Sequence, residues 1–359
     1  MIVLVYVFGC VLCVLYIMRV VVTGGAGFIG SHLCLRLQAD GHQVISIDSL
    51  TSYYCKRLKL EAITKLANVG VVNYTVDITD MASLHGIFKS FSPEVVVHLA
   101  AQAGVRYSID HPIECMHTNV QGTVSVLECC RNFHVHKVII ASSSSVYGVG
   151  AETPFSENRP SGQLVSPYAA SKQAVEALGQ SYQSLYKFPV LCLRFFTVYG
   201  PGGRPDMAVW KFIAAIEAGD QVPRFGDGQA LREFTYIDDI IDGVVSGILK
   251  GGNEPGFSVV NLGGGSSHTV NELIEAIEQA TGKSAKINTL PIQPGDVPLT
   301  AACQIRAQKI LGFTPKVSLQ EGINRTVNWY REWLKQISIE SETDAAETAN
   351  TASSTPRGM

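Results

Sequence analysis

The sequence predicts an α/β protein with a doubly wound parallel sheet and a smaller C-terminal α/β lobe that holds a substrate. Two observations support this fold class. Apolar strand-like runs alternate with helical patterns from residue 19 to residue 195, and strands separated by helices form a parallel sheet with helices on both faces. After about residue 196, turns rich in glycine and proline become denser, which is typical of a second lobe built onto the sheet.

The alternation can be followed segment by segment. Each predicted strand is a short apolar run, and each predicted helix repeats apolar residues every three or four positions. The predicted strands are 19–23, 43–48, 71–74, 94–99, 137–142 and 189–195, and the predicted helices are 28–40, 56–67, 80–90, 112–133 and 167–187. We therefore assign 19–195 to the domain with the parallel sheet and 196–337 to the smaller substrate lobe.

Composition excludes several classes of function. The 359 residues carry a formal net charge of −3, with no runs of lysine or arginine, so nucleic acid is not expected as a partner. The nine cysteines are scattered through apolar stretches and are interpreted as reduced core thiols. Cys10 and Cys13 have the spacing of zinc ligands, but no second pair completes four ligands, so we predict no metal site.

The two ends of the chain differ from the rest. Residues 1–18 are an apolar N-terminal extension without charge, which as a helix would measure roughly 27 Å, near the minimum for a bilayer. Two interpretations stay open: a short membrane anchor that leaves the catalytic domain facing the cytosol, or an extension without a role ahead of a cytoplasmic protein that begins at Met18. Residues 338–359 are rich in serine, threonine, alanine and acidic residues, which predicts a disordered tail.

A glycine-rich turn follows the first predicted strand. Gly24, Gly27 and Gly30 stand immediately before an apolar-periodic helix. A tight turn, a close backbone approach to a pyrophosphate and close helix–strand packing each exclude a Cβ. The start of the helix at Phe28 and Ile29 offers free N–H groups to phosphates. The pattern favours a Rossmann-type dinucleotide site, and the alternative is a tight turn without a ligand.

Asp48 sharpens this cofactor prediction. It ends the second predicted strand, where its carboxylate can accept hydrogen bonds from both hydroxyls of an adenosine ribose and would repel a 2′-phosphate. Ser49 and Leu50 offer no cation to reverse that preference. The sequence therefore predicts NAD rather than NADP.

The ends of the next two strands supply further candidates for the cofactor site. Asp77 and Ile78 follow the third strand and are placed to reach the adenine, or else to begin the next helix. The fourth strand ends in small side chains that would let the cofactor lie against the backbone, namely at Leu99, Ala100 and Ala101.

A tyrosine and a lysine one helical turn apart are the candidate catalytic pair. In the sequence Ser-Pro-Tyr-Ala-Ala-Ser-Lys, Tyr168 and Lys172 share one helix face, and Pro167 marks the start of the helix. A nearby ammonium group favours the phenolate, so this pair can take a proton from a sugar hydroxyl. Ser143 and Ser144 follow a predicted strand, where a hydroxyl can share a hydrogen bond to the same substrate oxygen; the alternative is a solvated turn.

These motifs together resemble the extended short-chain dehydrogenase/reductase superfamily, and within it the nucleotide-sugar epimerases of the UDP-glucuronate 4-epimerase type. The resemblance covers residues 19–335. It is carried by the segments TGGAGFIGSHL, HLAAQAGVRYSI, NVQGT, ASSSSVYG, SPYAASK, RFFTVYGPGGRPDMA, REFTYIDDI and QPGDVP.

The resemblance implies a role for each matching residue. Tyr168 would be the catalytic base, Lys172 its electrostatic partner and a ligand of the cofactor ribose, and Ser143, or less favourably Ser144, the hydroxyl that shares the proton. The remaining implied residues orient the core or hold the cofactor (Asn119), hold the sugar carboxylate (Thr197 and Arg204), hold the UDP group (Arg232 and Asp296) or complete the substrate site (Arg106). Arg204 could instead be an ordinary surface residue of a turn.

The resemblance also implies a reaction. Bound NAD would oxidise C4 of UDP-glucuronate and return the hydride to the other face after the ring turns, giving UDP-galacturonate. A UDP-glucuronate decarboxylase or a 4,6-dehydratase would be expected to carry acidic residues in the serine motif, where this chain has Ser144 and Ser145. The alternatives are a UDP-glucose or UDP-N-acetylhexosamine 4-epimerase, a non-catalytic NAD-binding scaffold, and a membrane-tethered adaptor. The family further implies a homodimer formed through helices near 112–133 and 167–187.

Overall fold

The computed structural model of the protein describes residues 2–7, 10–250, 256–292 and 299–353, with side-chain surroundings for 16–250, 256–292 and 299–338. A seven-stranded sheet, parallel at every pairing, lies at its centre. In spatial order its strands are Phe257–Leu262 (β12), Val190–Phe195 (β8), Lys137–Ser143 (β7), Val95–His98 (β6), Arg19–Thr23 (β3), Gln43–Ile47 (β4) and Val72–Tyr74 (β5). The predicted doubly wound parallel sheet is confirmed.

The helices that follow these strands also agree with the sequence patterns. The helices of the first half are Phe28–Ala39 (α1), Lys56–Asn68 (α2), Met81–Phe91 (α3), Val105–Asp110 (α4), Pro112–Met116 (α5), Gly122–Asn132 (α6) and Pro167–Tyr186 (α7). Predicted boundaries up to residue 195 hold within two residues. The helix predicted over 112–133 is interrupted by one π-helical turn at His117–Gln121, and α4 was not predicted.

Alternation along the strands divides the core between the two faces of the sheet. In β3, Val20 and Val22 face one hydrophobic cluster with Leu33 of α1, whereas Val21 faces a second cluster with Phe88 of α3. Side chains of a strand point to opposite faces in turn, so a run of valines buries both faces at once. This burial explains why the strands read as continuous apolar runs.

The second half of the chain builds the smaller lobe. Its remaining strands are Thr197–Tyr199 (β9), Gln221–Phe225 (β10), Leu231–Tyr236 (β11), Ser267–Thr269 (β13) and Lys286–Leu290 (β14), and its helices are Ala208–Ala218 (α8), Ile237–Leu249 (α9), Val270–Thr281 (α10), Ile305–Leu311 (α11) and Leu319–Ser353 (α12). They include a three-stranded sheet in the order β13-β11-β9 and a parallel pair of β10 and β14.

A boundary at residue 195 does not separate the two parts of the sheet. The chain leaves after β8, returns through α9 and adds β12 beside β8 as the seventh strand. Close packing fixes α9 on this sheet, because a Cβ at Gly247 would lie 3.0 Å from the Leu191 side chain of β8. The smaller lobe is therefore an excursion from the seven-stranded sheet.

The two ends of the chain differ from the sequence predictions. Residues 2–15 form two antiparallel strands, Ile2–Val7 (β1) and Cys10–Leu15 (β2), where a helix was considered. Within the described ranges, no helix has the length and apolar character needed to cross a bilayer. The tail predicted to be disordered from residue 338 instead continues α12 to Ser353; alanine and glutamate, frequent in this segment, are strong helix formers. Residues 354–359 lie outside the described residues.

Candidate active site

The three glycines after β3 have different steric surroundings. Gly24 has φ +72°, and a Cβ there would lie 2.7 Å from the Ala100 nitrogen. At Gly30 a Cβ would lie 2.1 Å from the Gly24 carbonyl oxygen, so α1 packs directly on the turn. At Gly27 a Cβ would lie 3.1 Å from the same carbonyl oxygen, a tight contact but far less severe than the one at Gly30. The turn thus fits a pyrophosphate approaching at Gly27, above the free N–H groups of Phe28 and Ile29.

Asp48 lies buried at the end of β4, and its carboxylate is held from two sides. It accepts hydrogen bonds from the Ala26 N–H at 3.2 Å and the Leu50 N–H at 2.9 Å. Lys59 of α2 places its Nζ 3.8 Å from Asp48 Oδ1. The sequence prediction considered only Ser49 and Leu50, which supply no cation, and did not identify Lys59 beside Asp48. Lys59 could have been found from the sequence, because it lies in the buried stripe of α2 one heptad before Leu66.

The other candidate cofactor residues surround the same sheet edge. Asp77 accepts hydrogen bonds from the Thr79 N–H at 2.8 Å and from its hydroxyl at 2.7 Å, so it stabilises the turn before α3. Ile78 is buried in the core. Leu99, Ala100 and Ala101 follow β6, with Ala100 directly beside Gly24. The small side chain of Ala100 therefore lets the two backbones meet.

The predicted Tyr168 and Lys172 lie on the first turns of α7. Ser166 caps this helix by accepting a hydrogen bond from the Ala169 N–H at 3.1 Å, and Pro167 occupies its first turn. The Tyr168 N–H donates to the Ser108 hydroxyl at 3.1 Å. Lys172 Nζ lies 5.9 Å from the centroid of the Tyr168 ring. Helix geometry and two serines therefore fix the pair.

Lys172 is buried, and its ammonium group donates to the Ala141 carbonyl oxygen of β7 at 2.8 Å. Burial lowers the Lys172 pKa from 10.5 to about 8, against a smaller raising effect of nearby thiols and Glu176. At pH 7 the lysine is therefore still protonated, but closer to losing its proton than a lysine in water. The site therefore holds a positive charge near the tyrosine even though burial penalises that charge.

Ser143 ends β7 beside the phenol of Tyr168. Its hydroxyl accepts from the Ser145 N–H at 3.2 Å and donates to the Ser145 hydroxyl at 3.1 Å. Burial raises the Tyr168 pKa, while the interaction with Ser143 and the charge of Arg204 lower it. Burial therefore favours the neutral phenol, whereas Ser143 and Arg204 favour the phenolate, which is the form that can act as a base.

Asn119 organises the segment behind the tyrosine. It lies on the π-helical turn and is buried. Its amide nitrogen donates to the Gln102 carbonyl oxygen at 3.1 Å and to the Ser171 hydroxyl at 2.9 Å, and its amide oxygen accepts from the Gln102 N–H at 2.7 Å. Asn119 therefore ties the loop after β6 to α7. A π turn inside a helix frequently marks a functional site.

Sequence reasoning missed a buried ion pair beneath the serines. Arg194 of β8 donates from two nitrogens to the carboxylate of Glu176 on α7, at 2.8 and 2.7 Å. The same carboxylate accepts a hydrogen bond from Ser142. Glu176 lies one turn after Lys172 on α7, and this spacing was the only signal available. The pair locks α7 against the strands that carry the site.

Arg204 lies in the turn after β9 and belongs to the site. Its side chain is one-fifth exposed and pairs with Asp206, with Nε 2.9 Å from Oδ1. Burial opposes the charge on Arg204, but the hydrogen bond and charge of Asp206 keep its pKa raised. The field of Arg204 reaches Tyr168 and lowers the pKa of that phenol. A fixed cation therefore lies beside the candidate base.

Three of the remaining predicted substrate residues have described positions. Thr197 begins β9 and pairs in register with Phe234 of β11. Arg232 is on β11, where its Nη1 donates to the Leu231 carbonyl oxygen at 3.0 Å. Arg106 of α4 stacks over the Phe225 ring of the substrate lobe at 5.0 Å. Asp296 lies outside the described residues, and the described residues hold no cluster of potential metal ligands.

A dinucleotide turn, a Tyr/Lys pair and a strand-end serine at one sheet edge define a nucleotide-dependent centre for reversible oxidation of an alcohol. The family model described as "NAD dependent epimerase/dehydratase family" matches residues 20–263. The chain belongs to this family.

Individual relatives are similar over nearly their whole length. The UDP-glucuronate 4-epimerase of Thermodesulfobacterium geofontis is 39% identical over 318 residues, which cover 88% of this chain and 97% of that protein. A probable UDP-glucuronate 4-epimerase of Rhizobium meliloti is 40% identical over 331 residues, covering 87% of this chain and 97% of that protein.

Solved structures are similar as well. The UDP-glucuronic acid 4-epimerase from Bacillus cereus, in complex with UDP-glucuronic acid and NAD, has 34% identity and a TM-score of 0.83, covering 88% of this chain and 100% of that chain. A UDP-glucose 4-epimerase from Thermotoga maritima with UDP-glucose has 33% identity and a TM-score of 0.82, covering 88% of this chain and 100% of that chain.

Proposed function

We propose that this protein is a UDP-glucuronate 4-epimerase, an isomerase that interconverts UDP-glucuronate and UDP-galacturonate with NAD as its cofactor. The observation that carries the proposal is Arg204, a cation that Asp206 holds in the turn after β9 and whose charge lowers the pKa of the candidate base Tyr168. A carboxylate on C5 of the sugar needs such a cation when C4 lies at the base. The similarity to epimerases with UDP-glucuronate or UDP-glucuronic acid in their names supports the same substrate.

The cofactor site of this proposal consists of residues that the fold already brings to the sheet edge. The glycine turn would hold the pyrophosphate, Asp48 the adenosine ribose, and Asp77 and Ile78 would lie towards the adenine. When bound, NAD⁺ supplies reversible acceptance of a hydride from C4 of the sugar. Lys172 would contact the nicotinamide ribose, and Asn119 keeps the loop after β6 in place beside it.

The chain's own residues move the proton. Lys172 stabilises the phenolate of Tyr168 with its positive charge, and this phenolate takes the proton of the C4 hydroxyl and becomes a neutral phenol. Ser143 hydrogen-bonds the same sugar oxygen. When the proton returns to that oxygen on the turned ring, Tyr168 is a phenolate again and the starting state is restored. The cycle needs no net acid, base or reductant.

Fixing the carboxylate is the second task of the site. Oxidation at C4 makes a ketone next to C5, which carries the carboxylate, so the intermediate is a β-keto acid that can lose CO₂. Arg204 and Thr197 would hold the carboxylate so that the C5–C6 bond does not overlap the ketone π system. The serine motif supports this outcome, because Ser144 and Ser145 offer no carboxylic acid for a dehydratase or decarboxylase step.

The UDP group would be held by the substrate lobe, through Arg232 and Asp296, with Arg106 at the junction between the lobes. A UDP-glucose 4-epimerase is the second candidate function, because a solved enzyme of that name has a TM-score of 0.82 to this chain. That substrate has no carboxylate and leaves Arg204 without a partner from the sugar.

The proposal includes a homodimer formed through the helices near 112–133 and 167–187. Apolar side chains on these helices are exposed in the single chain, including Ile113 at 84% and Leu185 at 65%. Light scattering after size exclusion tests this part, and the substitution Ile113→Lys should shift a dimer towards monomer.

We also propose a cytoplasmic location. The buried cysteines among the described residues are free thiols, and a reducing compartment keeps thiols in this state.

The experiment for the proposed function is incubation of the protein with UDP-glucuronate without added reductant, followed by chromatography and NMR. The proposal expects UDP-galacturonate, with the same final ratio reached from either sugar. Turnover of UDP-glucose without conversion of UDP-glucuronate would transfer the assignment to the second candidate. UDP-xylose or a 4-keto pentose as main product would show a decarboxylase instead.

A further inference from the structure

Arg204 is held by two side chains from different loops. Asp206 pairs with it through Nε and Nη2. Tyr53, from the loop between β4 and α2, donates its hydroxyl to Asp206 Oδ2 at 3.0 Å and lies 3.5 Å from Arg204 Nη2. We call Tyr53, Arg204 and Asp206 the arginine clasp. It joins a loop of the nucleotide-binding sheet to the turn that carries the candidate carboxylate ligand.

The position of Tyr53 is determined by close packing. Its ring meets that of Tyr107 edge to face, with centroids 4.8 Å apart. Its hydroxyl lies where a Cβ of residue 104 would be, only 2.2 Å from that point, so Gly104 makes room for it. Burial raises the Tyr53 pKa to about 12, with Asp206 adding to the effect. The phenol therefore stays a neutral hydrogen-bond donor at physiological pH.

The loop that carries Tyr53 is anchored on Asp48. Leu50 has a left-handed backbone conformation, with φ +53°, and its N–H donates to the Asp48 carboxylate. Asp48 is also the residue that the proposed function assigns to the cofactor ribose. The arginine clasp therefore connects the cofactor end of the site with its substrate end through a short loop.

Asp206 leaves one side of the guanidinium available. It takes Nε and one N–H of Nη2, and the described residues make no hydrogen bond with Nη1. The guanidinium is planar, so fixing one edge fixes the direction of the others. A carboxylate arriving from the sugar would find Nη1 already oriented, without the entropy cost of ordering a long side chain.

We propose that Tyr53 and Asp206 are positioning residues that orient Arg204 for the sugar carboxylate and so keep the reaction on epimerisation rather than decarboxylation. This inference rests on the proposed function. It assigns a role in the reaction to Tyr53, from the loop between β4 and α2, and to Asp206, both of which act only through Arg204. The pairing with Arg204 also explains why Asp206, whose carboxylate would repel that of the sugar, lies near the candidate site for the sugar carboxylate.

The competing reaction is fully defined. In the 4-keto form of UDP-glucuronate, the C5–C6 bond breaks and its electron pair forms the C4–C5 double bond of an enolate. CO₂ leaves, and a proton from solvent then adds to C5 to give a UDP-4-keto-pentose. The hydride stays on the cofactor, so each such event leaves one reduced nicotinamide that absorbs at 340 nm. Epimerisation returns the hydride and leaves none.

The test compares Tyr53→Phe and Asp206→Asn with the unchanged protein, using UDP-glucuronate as substrate. We expect the ratio of decarboxylated product to UDP-galacturonate to rise about tenfold in each variant, with absorbance at 340 nm rising in parallel, because a hydrogen bond to a charged group is lost. KM for UDP-glucuronate should rise more than kcat falls. Asp206→Glu, which keeps the charge, should recover part of the product ratio.

Tyr107→Phe is the matched control. It removes the hydroxyl of a neighbouring tyrosine that bonds to Glu114 at 2.9 Å, keeps the ring that touches Tyr53, and should leave the product ratio unchanged. Retention of bound NAD and the melting temperature report whether each variant is folded. If Asp206→Asn does not fold, Tyr53→Phe alone decides the matter.

Two results would overturn the inference. If the folded variants lose turnover equally for both products, so that the product ratio is unchanged, the clasp has only a structural role. An unchanged KM would do the same. The two failures can be told apart. If the unchanged protein makes no UDP-galacturonate, both the proposed function and the proposed role of the arginine clasp are wrong. If the unchanged protein epimerises UDP-glucuronate and the variants show the same product ratio, only the proposed role of the clasp is wrong.

Discussion

The catalytic centre and the arginine clasp lie side by side but are built in different ways. Tyr168, Lys172 and Ser143 are placed by one helix and one strand end, and a buried ion pair to the neighbouring strand β8 locks the helix in place. The clasp joins side chains from a loop and a turn about 150 positions apart along the chain. The proton chemistry thus depends on regular elements, whereas the control of the carboxylate depends on loops.

The difference predicts which substitutions damage which property. A change in the centre should remove turnover with any sugar while the fold and NAD binding persist. A change in the clasp should leave turnover present and alter the products. The following variants test this division, from the largest expected effect to the smallest.

Tyr168→Phe should lower turnover about 10³-fold, since general base catalysis contributes that much, while the NAD released on denaturation stays at the amount found in the unchanged protein. Product formation from UDP-glucuronate and the nucleotide content measure the two quantities. Full activity in this variant would refute the role of the tyrosine. Loss of both activity and bound NAD would mean that the substitution disturbs the fold or the cofactor site, and would contradict the expectation that it removes turnover alone.

Gly30→Ala and Gly27→Ala lie in the same turn but should affect different properties, namely the stability of the fold and the binding of NAD. A Cβ at residue 30 would lie 2.1 Å from the Gly24 carbonyl oxygen, so we expect Gly30→Ala to lower the free energy of unfolding by ~3 kcal/mol. At Gly27 a Cβ would lie 3.1 Å from that oxygen, which requires only a small shift, so Gly27→Ala should weaken NAD binding and cost much less stability than Gly30→Ala. Chemical denaturation and NAD titration provide the two measurements, and equal loss of stability in both variants would contradict this division.

Arg204→Met tests, through the pH dependence of kcat/KM, whether the arginine clasp acts on the catalytic centre. The cation lowers the Tyr168 pKa, so its removal should raise that pKa and move the acidic limb of kcat/KM upward by ~1 pH unit. This limb reports the free enzyme. Arg106→Met removes an arginine that does not act on Tyr168 and should leave the limb in place. A limb that stays fixed in Arg204→Met would mean that the arginine does not act on the base.

The regular part of the molecule could be predicted from the sequence for a physical reason. Strand runs such as Val20–Val22 and the spacing of Tyr168 and Lys172 follow local rules of period and helix geometry. The glycine turn and the serine motif likewise sit directly at strand ends, where their surroundings follow from the element before them.

The rest depended on tertiary contacts that no local pattern carries. The return of β12 to the main sheet and the meeting of Tyr53 with Asp206 follow from how distant segments fold together. Lys59 was missed because only the residues directly after Asp48 were considered. At the C-terminus, a polar composition suggested disorder, yet α12 continues to Ser353.

The most direct test of the account uses UDP-glucuronate carrying deuterium at C4. Oxidation and return at C4 by a bound cofactor predicts UDP-galacturonate that retains the deuterium at C4, with no deuterium released to water. Proton exchange at C5 would invert a different centre and incorporate solvent hydrogen there. UDP-galacturonate without deuterium at C4, or a product inverted at C5, would contradict the account.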